Sequence, residues 1–178
     1  MFWKRKPGDP MSENRKRPDN PYFGLRRNAL NCGMDMAGWK SAPSGRHVYG
    51  GVLDWGIATG TATVFALDDG TASLYLSSGG GVIGGGFHPT VSQRAKEFVL
   101  LLEQFIDQLQ VDTTDEPPPA GATDIRALTD TGRLFVRAIT DDLTKRTHPM
   151  TVVFDAAQAL IGELRQIATS SEGRPGLA

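Results

Sequence analysis

Residues 66–70 read ALDDG and residues 127–132 read ALTDTG. Each is followed by a strand-like run and then by His-Pro, as His88-Pro89-Thr90 in the first case and His148-Pro149-Met150-Thr151 in the second. The turn glycine and the histidine are 18 residues apart in the first copy (Gly70 to His88) and 16 in the second (Gly132 to His148). Asp and Gly tolerate the positive φ of hairpin turns, and proline favours the first position of a helix. The pattern therefore predicts two related ββα units, each a hairpin feeding a proline-started helix. Such a duplication sets architecture and specifies no reaction.

Working outward, Val48 to Ile57 alternates as a strand, with Leu53, Trp55 and Ile57 on one side and Val48, Val52 and Asp54 on the other. Thr61 to Leu67 and Thr71 to Ser77 flank the DDG turn and complete an antiparallel meander. From Pro89 to about Leu109, Val91, Ala95, Phe98, Leu102, Phe105 and Leu109 fall on one helical stripe. Residues 110–123, QVDTTDEPPPAGAT, read as a polar crossing loop that its three prolines stiffen. Ile125 to Leu128 and Leu134 to Ile139 form the second hairpin. A second helix from Pro149 to about Ala168 aligns Val153, Ala157, Leu160, Leu164 and Ile167.

These elements predict an α+β fold of order βββα-ββα: a mostly antiparallel five-stranded sheet packed by two long helices. One domain over residues 46–168 is expected, followed by a disordered tail at 169–178. Residues 1–45 are expected to form a basic, largely disordered arm, with a short helix at 21–31 started by Asn20 and Pro21. Residues 1–46 carry ten Lys/Arg against four Asp/Glu, whereas residues 47–178 carry nine against sixteen. Contact of residues 1–20 with nucleic acid or an anionic membrane is the minor reading of that asymmetry, and a solvated tail the main one.

The arrangement resembles the roadblock, longin and profilin-like group of small α+β folds. Roadblock proteins have two strands before the middle helix and three after, where this chain has three and two. The string DWGIATGTATVFALDDGTASLYLSSGGGVIGGG, followed by His88-Pro89, is similar to a family of small bacterial proteins without a known activity. That resemblance spans residues 47–168 and implies no reaction.

A single cysteine, Cys32, excludes an internal disulfide, and no Cys/His cluster suits zinc. No run of 18 apolar residues would span a membrane, and MFWKRKPGDP lacks the apolar stretch of a secretory signal. A cytoplasmic location is expected. No catalytic residues are assigned: the nucleophile elbow and the metalloprotease helix are both missing. Asp54, beside Trp55, is the only carboxylate expected to be partly buried.

The candidate contact residues are Gly79, Gly80, Gly81, Val82, Ile83, Gly84, Gly85, Gly86 and His88. Gly79 to Gly84 satisfies GxGxxG between a strand and a helix, so its amides could cradle a phosphate or nucleotide. A hairpin strand before it and a helix starting several residues late argue against a dinucleotide site. The competing reading is a close turn, or a backbone lying flat on a neighbour, with Val82 and Ile83 as apolar contacts. His88 and His148 occupy matching positions, where capping outranks a metal. The expected function is a non-enzymatic protein–protein interaction or scaffold module, self-association included. A ligand-binding domain using the Gly79–Gly86 loop is the alternative, and neither cofactor nor metal is assigned.

Overall fold

A computed structural model describes residues 20–172, and side chains as far as residue 170. The contacts expected of residues 1–19 and the end of the C-terminal tail lie outside the described residues. The fold is α+β with an antiparallel sheet. Its strands are β1 (Val48–Ile57), β2 (Gly60–Leu67), β3 (Ala72–Leu76), β4 (Gly81–Val82), β5 (Gln110–Val111), β6 (Ala122–Thr129) and β7 (Gly132–Ile139). They lie in the order β4-β3-β2-β1-β6-β7-β5, every pair antiparallel.

The sheet thus has seven strands, not five. The two additions, β4 and β5, are two-residue edge strands, too short for apolar alternation to register in sequence. β4 forms inside the glycine run, and β5 takes the first two residues of the expected crossing loop. β1 sits at the centre, with the β2–β3 hairpin on one side and the β6–β7 hairpin on the other.

The helices are α1 (Tyr22–Leu30), α2 (Pro89–Gln104), α3 (Thr140–Thr144) and α4 (Thr151–Glu172). The Asn20 side chain caps α1 by accepting the Tyr22 N–H at 3.0 Å. α2 is shorter than its apolar stripe: it gives way after Gln104 to a 3-10 turn at Ile106–Gln108. Val91, Ala95, Phe98, Val99 and Leu102 are buried against the sheet, the four larger side chains contributing about 1.5–3 kcal/mol each. α4 starts two residues after Pro149 and runs to Glu172, past the expected end at Ala168. α2 and α4 pack on one face together with Leu53, Val64, Leu74, Ile125 and Ala127.

A second core covers the opposite face. Tyr22, Ala29 and Leu30 of α1, with Trp39 behind a 3-10 turn at Met34–Ala37, pack on Tyr49, Val52, Phe65, Tyr75 and Leu128. The described part of the basic arm is therefore a folded layer on the sheet. Both faces being covered, every residue of β2 is buried. Val48 belongs to the α2/α4 core and Tyr49 to the second core. A register shift between Val48 and Gly50 causes this, so Val48 departs from the side shared by Val52 and Asp54.

Candidate functional site

Asp54, opposite Thr63 on β2 and Asp124 on β6, is fully buried in the second face. It is not alone, since the side chains of Asp112 and Asp124 are buried as well. Two carboxylates directly opposite each other would repel, and arginines fill the gap. Arg26 of α1 donates Nε to Asp54 Oδ1 at 3.0 Å and Nη2 to Oδ2 at 2.7 Å. Arg126 of β6 reaches Asp54, Asp112 and Asp124 at 2.7, 3.0 and 3.1 Å. Arg137 donates to both oxygens of Asp124, and Arg133 contacts Asp112 and Asp115. Four arginines thus balance four aspartates across α1, β1, β6, β7 and the crossing loop.

The network is closed. Thr63 Oγ1 also donates to Asp54 Oδ1, so both oxygens of that carboxylate accept two hydrogen bonds. An acid held this way has no free oxygen for a substrate, and its chemistry is that of a clamp. The upward pKa shifts of Arg26 and Arg137 fit that role. At Arg26 burial works downward but the Asp54 bond and charge outweigh it, and at Arg137 the Asp124 hydrogen bond leads.

Tyr22 extends the clamp, its hydroxyl donating to Thr63 Oγ1 at 2.9 Å because the Thr63 proton is given to Asp54. Burial, and then the Asp54 charge, pushes the Tyr22 phenol from 10.0 up to about 12. The unfolded chain releases this proton near pH 10 and the folded chain near pH 12. The associated stability is complete below pH 10 and falls by about 1.4 kcal/mol per pH unit above it, roughly 3 kcal/mol in all. Denaturant unfolding from pH 9 to pH 12 should therefore decline more steeply in the wild type than in Tyr22→Phe. Equal slopes would place the alkaline loss elsewhere, for instance at Tyr49 or Tyr75, whose phenols burial also pushes up.

The predicted contact residues lie away from this clamp, at the β4 edge. Gly79, Gly80, Gly81, Ile83 and His88 are exposed, Val82 and Gly84 half-buried, and only Gly85 fully buried. Close approach accounts for three glycines. A Cβ on Gly81 would strike the Leu74 carbonyl, one on Gly85 the Leu164 side chain, and one on Gly86 the Gly70 carbonyl oxygen at 2.5 Å. Gly79, Gly80 and Gly84 have φ of 108°, 83° and 71°, the left-handed region that favours glycine. The amides of Gly79 and Gly84 are taken by the Leu76 carbonyl and Ser73 Oγ.

Beside this loop Ile83 is 70% exposed and Phe87 97% exposed. Phe87 was missed from sequence. One signal would have found it: residues 70–93 contain no Asp, Glu, Lys or Arg, in a chain that is 22% charged. Two grooves flank α1, of about 390 Å³ beside Phe23 and Pro117 and about 530 Å³ over Phe65 and Tyr75, and the glycine loop lines neither.

The paired histidines do different work. His88 is exposed before Pro89, while His148 Nδ1 accepts the Met150 N–H at 3.1 Å. Among the described residues no group of three or more His, Cys, Asp or Glu is placed to hold a metal ion. Burial, and then Asp35 and Asp69, push the Cys32 thiol up, away from the thiolate. No described helix is long and apolar enough to cross a membrane. Comparison with known proteins finds no matching family model, curated protein or solved structure.

Proposed function

We propose that this chain is a protein–protein interaction module whose docking edge is the Gly79–Gly86 loop with Ile83, Phe87 and His88. The observation that supports it most is the full exposure of Phe87 beside Ile83, on an uncharged stretch at the border of the sheet. Exposed large apolar side chains gathered at one edge are the usual mark of a contact surface. A loop whose glycines serve close packing and whose side chains face solvent suits a partner better than an enclosed small molecule.

The test is the double variant Ile83→Asp/Phe87→Asp. Both positions are exposed, so stability should stay within about 0.5 kcal/mol of wild type. Capture of partner by the immobilised chain, read against wild type, should fall at least about tenfold. Unchanged capture by the double variant would overturn the reading. A phosphorylated ligand that raises stability by about 2.7 kcal/mol at 100 times its dissociation constant would move the loop to the ligand-cradle alternative.

A further inference from the structure

β4 closes one border of the sheet, and among the described residues no strand pairs with its outer side. Natural edges are normally guarded by charged side chains, proline or a bulge. None of these guards Gly79 to Phe87. The opposite border, β5, runs directly into Asp112 and the Pro117–Pro119 run.

The direction of the free backbone groups follows from pairing. The Leu76 N–H donates to the Gly80 carbonyl at 3.1 Å, and Leu74 faces Val82 in the same register. Alternation along an antiparallel pair turns the Val82 N–H and C=O inward to β3 and the groups of Gly81 outward. The peptide linking Val82 to Ile83 is trans, so the Ile83 N–H points opposite the inward Val82 carbonyl. The border therefore offers the N–H and C=O of Gly81 and the N–H of Ile83, unpaired among the described residues, as partners for a strand.

Charge favours one occupant. The full chain carries a net charge of −1, so long-range charge does not hold two copies apart, and the uncharged 70–93 stretch offers a charged partner nothing to pair with. Two copies meeting there desolvate no charge. An edge of this kind is also complementary to itself: a two-fold axis at Val82 sets Gly81 of one copy opposite Ile83 of the other, and the reverse. Each such pair makes one hydrogen bond, from the Ile83 N–H to the Gly81 carbonyl of the other copy, two in all.

We infer that the β4 edge binds a second copy of this chain by antiparallel strand pairing across Gly81–Ile83, with Ile83 and Phe87 covered at the junction. This deepens the interaction-module reading and rests on it. Sedimentation of the full chain from micromolar to millimolar concentration should show a monomer–dimer equilibrium. Hydrogen exchange should show the Ile83 amide slowing as the dimer forms. Ile83→Pro removes the outward N–H together with the isoleucine side chain and should weaken the dimer at least about tenfold, whereas Ile83→Ala, which loses the side chain alone, should weaken it less and Ile83→Leu should leave it intact.

A dimer that Ile83→Asp/Phe87→Asp destroys but Ile83→Pro spares, with the Ile83 amide exchanging equally at all concentrations, would overturn strand pairing and leave the docking face standing. A monomer throughout would overturn the second copy. In that case, amides protected at every dilution would assign the edge to a segment of the same chain. If neither sedimentation nor capture responds to the double aspartate variant, the interaction-module reading itself falls.

Discussion

Arg126→Ala will destabilise this protein by about 3–5 kcal/mol, a large fraction of the 5–15 kcal/mol that holds a domain of this size together. Removing the side chain leaves three buried aspartates facing one another. Asp54 keeps Arg26 and Thr63, and Asp124 keeps Arg137, but Asp112 retains only the Thr114 N–H at 3.1 Å and, as its one cation, Arg133 at 3.3 Å. The cost is that of buried carboxylates left with too little positive charge among them, and includes the lost stacking of the guanidinium on Phe135 at 5.1 Å. Arg126→Met keeps most of the volume and should lose nearly as much, which separates charge from packing.

The sharper test is a cycle of Arg126→Ala with Asp54→Ala, read by denaturant unfolding. Both groups sit in one closed network, so the double variant should cost less than the sum of the singles by at least about 2 kcal/mol. Strict additivity, or an Arg126→Ala loss below about 1 kcal/mol, would show that the clamp contributes little and that the second layer is held by its apolar contacts alone.

The clamp also shows where sequence reading stops. Hairpins and helix stripes are local, so ALDDG, ALTDTG and the Val91–Leu102 spacing made the β2–β3 and β6–β7 hairpins and both long helices legible. Asp54 drew attention because an acid stood within an alternating strand. Its partners are 28 and 72 residues away, at Arg26 and Arg126, and no periodicity links positions so distant. Arg26 looked like one more charge of a basic arm, since α1 has a weak apolar stripe of its own. The covering of both sheet faces was nonetheless written in β2, TATVFAL, where Thr63 and Phe65 face one layer and Val64 and Ala66 the other. Alternation there gives way to continuous burial, and a short apolar run does not say what covers it. At the β4 edge the glycine run was legible as a close-approach device. Its pairing as β4 was not, because two residues carry no period.

The other large effect is expected where α2 meets the centre of the sheet. Phe98 is fully buried, and its ring lies against Gly51 of β1 beside Leu102. Phe98→Ala should cost about 3–5 kcal/mol, the transfer loss plus the cavity. Gly51→Ala alone should also destabilise, by about 1–3 kcal/mol. Its Cβ would press into Leu102 Cδ1 and stand 2.8 Å from Phe98 Cε1, in a contact between helix and sheet that cannot widen cheaply. Combined, the two changes act on the same space. With the ring gone, the added methyl enters the void and Leu102 can shift towards it. The double variant should therefore be more stable than the sum of the singles predicts, by at least about 1 kcal/mol in thermal or denaturant unfolding. Additive losses would mean that the helix does not use the missing Cβ of Gly51 to reach the sheet, and that Leu102 rather than Phe98 sets the separation of the two layers.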